Sequence, residues 1–571
     1  MNLFFGQRDD QPPTGLRKWA GAVLRLLGPT WRAAPVRRIS QAVSLLVFLV
    51  LFVHVARSLG PDSPANSVAR AQWLPAETFL WLDPLVGISA SLAARAWTAA
   101  LGVGLVVLGI CLFLPRGFCG YVCPLGTLAD VVDWLLARAD RLRGTRFRWL
   151  RLERRGWWSH LRFALLVAAL VAAALGVGLA GYVAAVPVLT RGLSGSWLRG
   201  YTGGGWGRPF WENVAAVGTI MPLAIALAVC LLGRRFWCRA LCPTGALLSV
   251  FSLLRLWERK VSDSCISCGR CRQACAFDAI GNDFATRPLD CTFCQECGGV
   301  CPVGAIEFAA RWKASAADPP DETVPGDPAL SRRALVAGAV VGTAATVGIR
   351  WGSPRSKELL RPPGALDEDR FLALCVRCGM CMQVCPGPVL HPMGLAAGLD
   401  ALWTPVAVPV IAGCHQDCNA CTQVCPTGAI QPLALAEKRR TVMGLAVLNT
   451  RTCLPHAGER DCRLCFEACK DAGYHAIRMR EIPLEVGDVP PGAVSDDELE
   501  AMGRIEAPFV HRDACTGCGQ CENRCHQAWV RREKMLQRSA IVVTPEGRGR
   551  RTVEGVPGTG VPSAEFRARA T

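Results

Sequence analysis

Apolar residues are not spread evenly along this chain. Four long stretches with almost no charge fall in the first 235 positions, at Ile39–Leu59, Trp97–Leu114, Leu161–Val183 and Val214–Leu232. Each is near the length needed to cross a hydrocarbon core of about 30 Å. None has a polar face, so the pattern predicts helices buried all round rather than amphipathic surface helices. A weaker fifth stretch, Ala334–Ile349, is rich in Ala, Gly and Thr. Beyond residue 260 the pattern changes. Short apolar runs alternate with Gly, Pro and Cys, the composition of small loop-rich modules.

This patterning divides the chain. Residues 1–38 form a basic N-terminal segment, which the Arg distribution makes cytoplasmic, and 39–260 a four-span membrane domain. Residues 261–310 form a first cysteine-rich module. Residues 311–333, with Pro319, Pro320, Pro325 and Pro328, read as a linker. Residues 334–350 are a fifth span or export signal, because Arg332-Arg333 before a mildly apolar run resembles a twin-arginine signal. Residues 360–440 and 441–535 form two further cysteine-rich modules, and 545–571 a disordered tail.

Charge orients the spans. Arg is dense before the first stretch (Arg32, Arg37, Arg38), between the second and third (Arg138 to Arg155), and after the fourth (Arg234, Arg235, Arg239). By the positive-inside rule the N-terminus and the first module are cytoplasmic, and residues 351–571 are periplasmic if the fifth stretch crosses. The net charge of +17 is therefore assigned to membrane orientation and not to nucleic acid.

Thirty cysteines in 571 residues demand disulfides or metal. Their spacing decides for metal. Cys265-Cys268-Cys271-Cys275, Cys291-Cys294-Cys297-Cys301, Cys375-Cys378-Cys381-Cys385 and Cys515-Cys518-Cys521-Cys525 all read C-x2-C-x2-C-x3-C. Cys414-Cys418-Cys421-Cys425 has three residues in its first gap, and Cys453-Cys462-Cys465-Cys469 has eight. In the bacterial ferredoxin run, three thiolates of one loop hold a 4Fe–4S cubane and the fourth ligates the other cluster of a pair. Six runs then make three two-cluster modules. The expected ligand sets are Cys265, Cys268, Cys271, Cys301 and Cys291, Cys294, Cys297, Cys275 in the first. They are Cys375, Cys378, Cys381, Cys425 and Cys414, Cys418, Cys421, Cys385 in the second. In the third they are Cys453, Cys462, Cys465, Cys525 and Cys515, Cys518, Cys521, Cys469. Paired clusters with all irons ligated suit electron relay, since no iron is open to a substrate.

A second cysteine pattern repeats after spans two and four: Arg116-Gly-Phe-Cys119-Gly-Tyr-Val-Cys123-Pro124 and Arg235-Phe-Trp-Cys238-Arg-Ala-Leu-Cys242-Pro243. These four thiols can bind a metal, form redox-active disulfides, shape a quinol site, or simply line structural turns. Cys111 and Cys230, inside spans, read as packing residues. His54 in the first span and Asp83 in the following loop are candidates for a quinol site. His54 and His160 lie at opposite faces, so no haem is expected.

On these marks residues 35–310 resemble the membrane ferredoxin-type protein H (NapH) of periplasmic nitrate reduction. Residues 330–540 resemble the partner ferredoxin-type protein G (NapG) and its MauM relatives, through Ser331-Arg332-Arg333, Arg361-Pro-Pro-Gly364, Cys375-Val-Arg-Cys378-Gly, Met443-Gly-Leu-Ala-Val447 and Asp513-Ala-Cys515-Thr-Gly-Cys518-Gly. The chain reads as the two joined head to tail. The resemblance implies a multidomain protein: a four-span α-helical bundle plus a fifth span, with three bacterial two-cluster ferredoxin-like α+β modules. It implies a quinol dehydrogenase of the inner membrane, drawing on the quinone pool and passing electrons to a periplasmic multihaem or other c-type cytochrome or redox enzyme. The alternative is an electron-supplying maturation factor for a periplasmic metalloenzyme such as methylamine dehydrogenase. No flavin is expected, because the long outer domain of the related nitrous oxide regulator is missing. One difficulty follows from the topology: about 30 Å of hydrocarbon separates the first module from the other two, with no haem between them.

Overall fold

The computed structural model describes residues 35–57, 74–75, 77–143, 157–201, 214–312, 332–352, 359–483 and 504–547. Most of the basic segment 1–38, most of the linker 311–333 and the tail beyond 547 lie outside the described residues.

The N-terminal half is helical. Helix α1 spans Pro35–Arg57. It is followed by α2 (Pro84–Ala94), α3 (Ala99–Ile110), α4 (Pro124–Arg143), α5 (Leu161–Ala174), α6 (Ala185–Tyr201), α7 (Val214–Ala228) and α8 (Pro243–Phe251). After the first module comes α9 (Arg332–Gly352). Two of these, α1 and α9, are long and apolar enough to cross a membrane. The other three expected spans are shorter as helices: α3 has 12 residues, α5 has 14 and α7 has 15. The causes are local. Past α3 and α7 the chain turns at Arg116 and Arg235, both left-handed (φ 51° and 48°), and α5 stops at Gly176 (φ 84°). Hydropathy ends the second and fourth segments just before these Arg residues but does not register the stop at Gly176. It also missed α2 and α8, short apolar helices that each begin with Pro at the first helical position.

Helix α9 lies along α5, running the same way. Small residues allow the approach: a Cβ on Gly338 would fall 2.6 Å from the Ala164 carbonyl oxygen, and one on Gly342 would fall 2.7 Å from that of Ala168. Four-residue spacing of glycines on one helix face is the familiar means of close helix contact in lipid. At the far end Arg350 Nη2 donates to Leu175 O (2.8 Å).

Beyond the helices come, among the described residues, four two-stranded antiparallel sheets. Strand β1 (Trp257–Val261) pairs with β2 (Ile306–Ala310), closing the first module. Strands β3 (Leu390–Pro392) and β4 (Pro405–Ala407) pair inside the second. In the third, β5 (Leu445–Leu448) pairs with β8 (Ile541–Thr544), and β6 (Ile477–Pro483) with β7 (Arg504–Val510).

The modules sit at opposite ends of α1. At its start, Arg37 and Arg38 both pair with Asp130 of α4 and Glu296 of the first module. Near its end, Phe52 O accepts from Gln383 Nε2 of the second module (2.7 Å). Fifteen residues at 1.5 Å each put these contacts about 22 Å apart along the helix. Helix α5 repeats the arrangement: Arg162 near its start pairs with Asp290 (2.5 Å), while Gly178 beyond its end accepts from Arg377 Nη1 (2.9 Å). One apolar core runs from α1 and α5 through the second and third modules, and a small separate one lies in the first.

Candidate iron–sulfur centres

Backbone geometry explains how the cysteine runs are shaped. In all four C-x2-C-x2-C-x3-C runs, the residues just before and just after the second Cys are left-handed: Ser267 and Gly269, Phe293 and Gln295, Arg377 and Gly379, Gly517 and Gly519. Alternating left-handed residues curl a loop so that amides and side chains converge on a common centre, as in anion-binding nests. Ser267, Phe293, Gln295 and Arg377 adopt this conformation without being glycine, which costs on the order of 1–3 kcal/mol each. Arg377 is held in place by donating to Leu402 O, Cys375 O, Asp400 O and Gly178 O. The runs from Cys414 and Cys453, which differ in their first gap, carry no such pair among the described residues.

The thiols gather across runs. One cavity is lined by Cys375, Cys378, Cys381 and Cys425. Another is lined by Cys385, Cys414, Cys418 and Cys421. A third is lined by Cys453, Cys462, Cys465 and Cys525, and there Trp529 Nε1 donates to Cys462 Sγ (3.3 Å). In each, three thiols come from one run and the fourth from the partner run. Cys521 lies in electrostatic reach of Cys515, Cys518 and Cys469. In the first module, Cys297 lies in reach of Cys291, Cys294 and Cys275. For the run Cys265, Cys268 and Cys271 with Cys301, the described contacts are fewer: Arg259 Nη2 approaches Cys271 Sγ (4.0 Å) and Ala305 N donates to Cys301 Sγ (3.3 Å).

The residues fit a multi-iron group. Among the described residues no three Cys, His, Asp or Glu side chains close to single-ion spacing. A tetrahedral zinc site with thiolates at about 2.3 Å would draw its sulfurs to about 3.8 Å of one another, whereas a cubane holds one thiolate at each corner, further apart. Burial pushes the thiols of Cys275 and Cys385 up to about 12, so ligation in these sites must release protons.

The sites form a row. Cys381 is in reach of Cys421, which joins the first two cavities. Cys414 N donates to Cys518 O (2.7 Å), which joins the second module to the third. Cys521 is in reach of Cys465, which leads to the cavity at Trp529.

The two C-x3-C-P motifs also meet. Both are π-helical turns, Phe118–Val122 and Trp237–Leu241, and their four thiols share one buried core. Asp83, expected in an outer loop, is fully buried there instead, and its carboxylate accepts from Thr244 Oγ1 (3.0 Å). His54 is half-buried near the opposite end of α1.

A family described as a 4Fe-4S binding domain matches residues 96–143 and 214–260, the two repeats that carry these motifs. The methylamine utilization ferredoxin-type protein MauM of Methylorubrum extorquens is 35% identical over 219 residues, covering 37% of this chain and 86% of MauM. The chain belongs to the MauM/NapG family of ferredoxin-type proteins. Ferredoxin-type protein NapG of Escherichia coli is 35% identical over 218 residues, covering 37% of this chain and 80% of NapG. The putative electron transport protein YccM of Escherichia coli is 28% identical over a longer stretch, 58% of this chain and 89% of its own length. No solved structure matches. Iron–sulfur binding and electron transfer are thus properties of the family to which the chain belongs.

Sequence reasoning missed one cavity. It lies between the helices and the first module, walled by Trp158, Phe236 and Phe277 and edged by Arg239, Asp278 and Asp290. The aromatic residues beside Arg235 were the available signal. Phe277 and Asp290, 42 and 55 residues beyond Arg235 in the first module, gave none.

Proposed function

We propose that the chain is a quinol dehydrogenase of the inner membrane, a NapH-like part (residues 35–310) joined to a NapG-like part (residues 330–540), passing electrons to a periplasmic redox partner. The observation that carries this reading is the row of thiol sets from the second module to Trp529. Clusters bound there supply one-electron storage. The chain's own part is to hold the thiol sets named above, those of the second and third modules in a row, and to keep water from them. The sidedness read from Arg distribution is supported by α1 and α9, which begin at the end where the first module packs and finish at the end where the second packs.

Quinol is read as entering the cavity at Trp158. The three aromatic residues suit a quinone ring. On oxidation quinol yields two electrons and two protons, and the Asp278 and Asp290 carboxylates are placed to take the protons. Asp278 is paired with Arg239 (3.4 Å) and Asp290 with Arg162. The exit is read at Trp529, for a c-type cytochrome or other redox enzyme. The test is anaerobic addition of a soluble quinol to the full-length protein. Bleaching of cluster absorbance is expected, slowed at least tenfold by Asp278→Asn. Absence of bleaching where dithionite bleaches overturns the reading.

A second reading is electron supply to the maturation of a periplasmic metalloenzyme, to which the likeness to methylamine utilization ferredoxin-type proteins lends support. It predicts reduction by quinol as well, but with a maturation target as the acceptor instead of a respiratory cytochrome.

A further inference from the structure

The helices and the second module meet in a stack of two rings and two guanidiniums. Arg191 of α6 lies over the Trp403 ring (4.1 Å to its centre). Arg377 lies over the Tyr182 ring (4.2 Å), and the two rings are 5.6 Å apart. Arg191 and Tyr182 come from the helical half, Arg377 and Trp403 from the second module, so each part supplies one ring and one guanidinium. The backbones around the stack touch as well. A Cβ on Gly181 would fall 2.7 Å from the Val376 carbonyl oxygen, and one on Gly379 would fall 3.0 Å from Ser194 Oγ of α6. The loop from Cys375 to Gly379 is thus pressed against α6 and the turn before it. Trp403 and Arg377 also line the cavity of Cys375, Cys378, Cys381 and Cys425.

The two guanidiniums are both buried but differ in what balances them. Arg377 has the Asp400 carboxylate at 3.8 Å. Arg191 bonds to carbonyls only: its Nη1 donates to Gly181 O (2.7 Å) and its Nη2 to Tyr182 O (3.3 Å). Its Nε has no hydrogen-bond partner, and among the described residues no carboxylate pairs with it. A buried charge without a counter-charge is costly. Besides Tyr182 and Arg377, the groups within its electrostatic reach are the sulfurs of Cys378 and Cys375. Neutral thiols leave the guanidinium unbalanced, whereas thiolates that ligate an anionic cluster balance it.

We infer that Arg191 is the counter-charge of the cluster held by Cys375, Cys378, Cys381 and Cys425, so that a side chain of the helical half sets the potential of a cluster ligated entirely by the second module. The inference rests on the relay reading and deepens it. Gain of one electron at that site makes and breaks no bond. It adds one negative charge to a buried site, and a fixed positive charge beside it favours the reduced form, since net charge and burial are among the terms that set such potentials. Arg191 ligates nothing and acts through charge alone, as a positioning residue. The Trp403 ring and the Gly181 and Tyr182 carbonyls fix its place. The cluster pressed against the helices, first in the row of the second and third modules, is thereby made easier to reduce, which suits it to receive electrons from the helical half.

The test is redox titration of anaerobically purified full-length protein with chemical mediators, followed by EPR of the reduced clusters. The component belonging to this cavity is the one that Cys425→Ser alters. In Arg191→Met, iron per chain is expected to be unchanged and that component alone to become about tenfold harder to reduce, a fall of roughly 60 mV in midpoint potential for a one-electron couple. Arg191→Lys keeps the charge and is expected to restore the wild-type potential. A merely structural role would leave the potential unmoved in Arg191→Met, or lower it equally in Arg191→Met and Arg191→Lys, and either result overturns the inference. Should Arg191→Met not fold, Arg191→Gln, which keeps a donor for the Gly181 carbonyl, is read in the same terms. No quinol enters these titrations, so they stand or fall apart from the dehydrogenase reading.

Discussion

The two Cys-Pro repeats use the same residues to different ends. Arg116 and Arg235 occupy the same position, three residues before the first Cys, with the same left-handed backbone and equally complete burial. Yet Arg235 is locked to Asp130, which also takes Arg37 and Arg38, while Arg116 has no carboxylate partner and meets the Leu289 and Asp290 carbonyls, the Cys119 thiol and the Phe277 ring. A repeat has thus been divided into a structural half and an electrostatic half. The structural half ties α1, α4 and the second motif together. The electrostatic half leaves one uncompensated positive charge at the thiols.

The comparison is broken most directly by removing one group from each half. Asp130→Asn leaves three buried guanidiniums short of a carboxylate, and truncating one member of a buried ion network costs about 3–5 kcal/mol. Arg116→Gln removes a charge that no carboxylate holds, and is expected to change stability by less than about 1 kcal/mol. Unfolding midpoints in detergent, followed by cluster absorbance, check this; similar losses in the two variants would erase the division.

Acid sharpens the same contrast. Burial by itself would raise the Asp130 carboxyl, but Arg235, Arg37 and Arg38 hold it well below its ordinary 3.8. A depressed carboxylate stabilises the fold above its unfolded value and loses that contribution only as the pH falls through the folded one. The stability gap between wild type and Asp130→Asn is therefore expected to be flat from pH 5 to pH 8 and to shrink only below about 4. A gap that varies across the neutral range would mean that Asp130 is not fully ionised.

A second uncompensated cation extends the comparison into the C-terminal modules. Lys438 is buried, and its Nζ donates to the carbonyls of His415 and Gln416. Burial works against its charge, but the neighbouring Cys414, Tyr474, Cys418 and Cys421 hold it above its usual value. Lys438→Met is expected to lower the potential of one cluster by roughly 60 mV, a tenfold shift for a one-electron couple, with iron unchanged. Redox titration monitored by EPR checks it.

The smallest effect comes from the paired glycines. A Cβ on Gly126 would press on the Cys119 backbone oxygen at 3.2 Å, whereas on Gly245 its nearest neighbour is the Arg116 side-chain end at 3.3 Å. Backbone yields less than an unpaired guanidinium. Gly126→Ala is expected to cost about 1 kcal/mol, and Gly245→Ala markedly less. The reverse order in thermal unfolding would contradict the assignment of Arg116 as the looser of the two.

The sequence made the cysteine runs legible because their ligand geometry is local: three thiols within seven residues curl around one centre, and the fourth follows at a fixed offset. Even the widely spaced run from Cys453 joins Cys525 in one cavity. Helix lengths were less legible. Hydropathy carries the third segment on to Val183, through Gly176, where backbone conformation ends the helix. Least legible were contacts between residues far apart in the chain. Arg37 with Glu296, Asp83 with Thr244 and Trp81 with Pro426 each join positions more than 160 residues apart. Nothing in the local pattern distinguishes Asp83, which caps α2, from an ordinary helix cap until Thr244 is beside it.

In the proposed relay, electrons taken from quinol at the first module pass the thiols of the two repeats to reach the modules beyond α9. The direct measurement is anaerobic reduction by quinol of full-length wild type and of C119S/C238S, with the clusters resolved by EPR. Wild type is expected to show reduced components from both the first and the C-terminal modules. The variant is expected to show those of the first module alone, although dithionite still reduces the rest. Equal quinol reduction of the C-terminal clusters in both proteins would contradict the account.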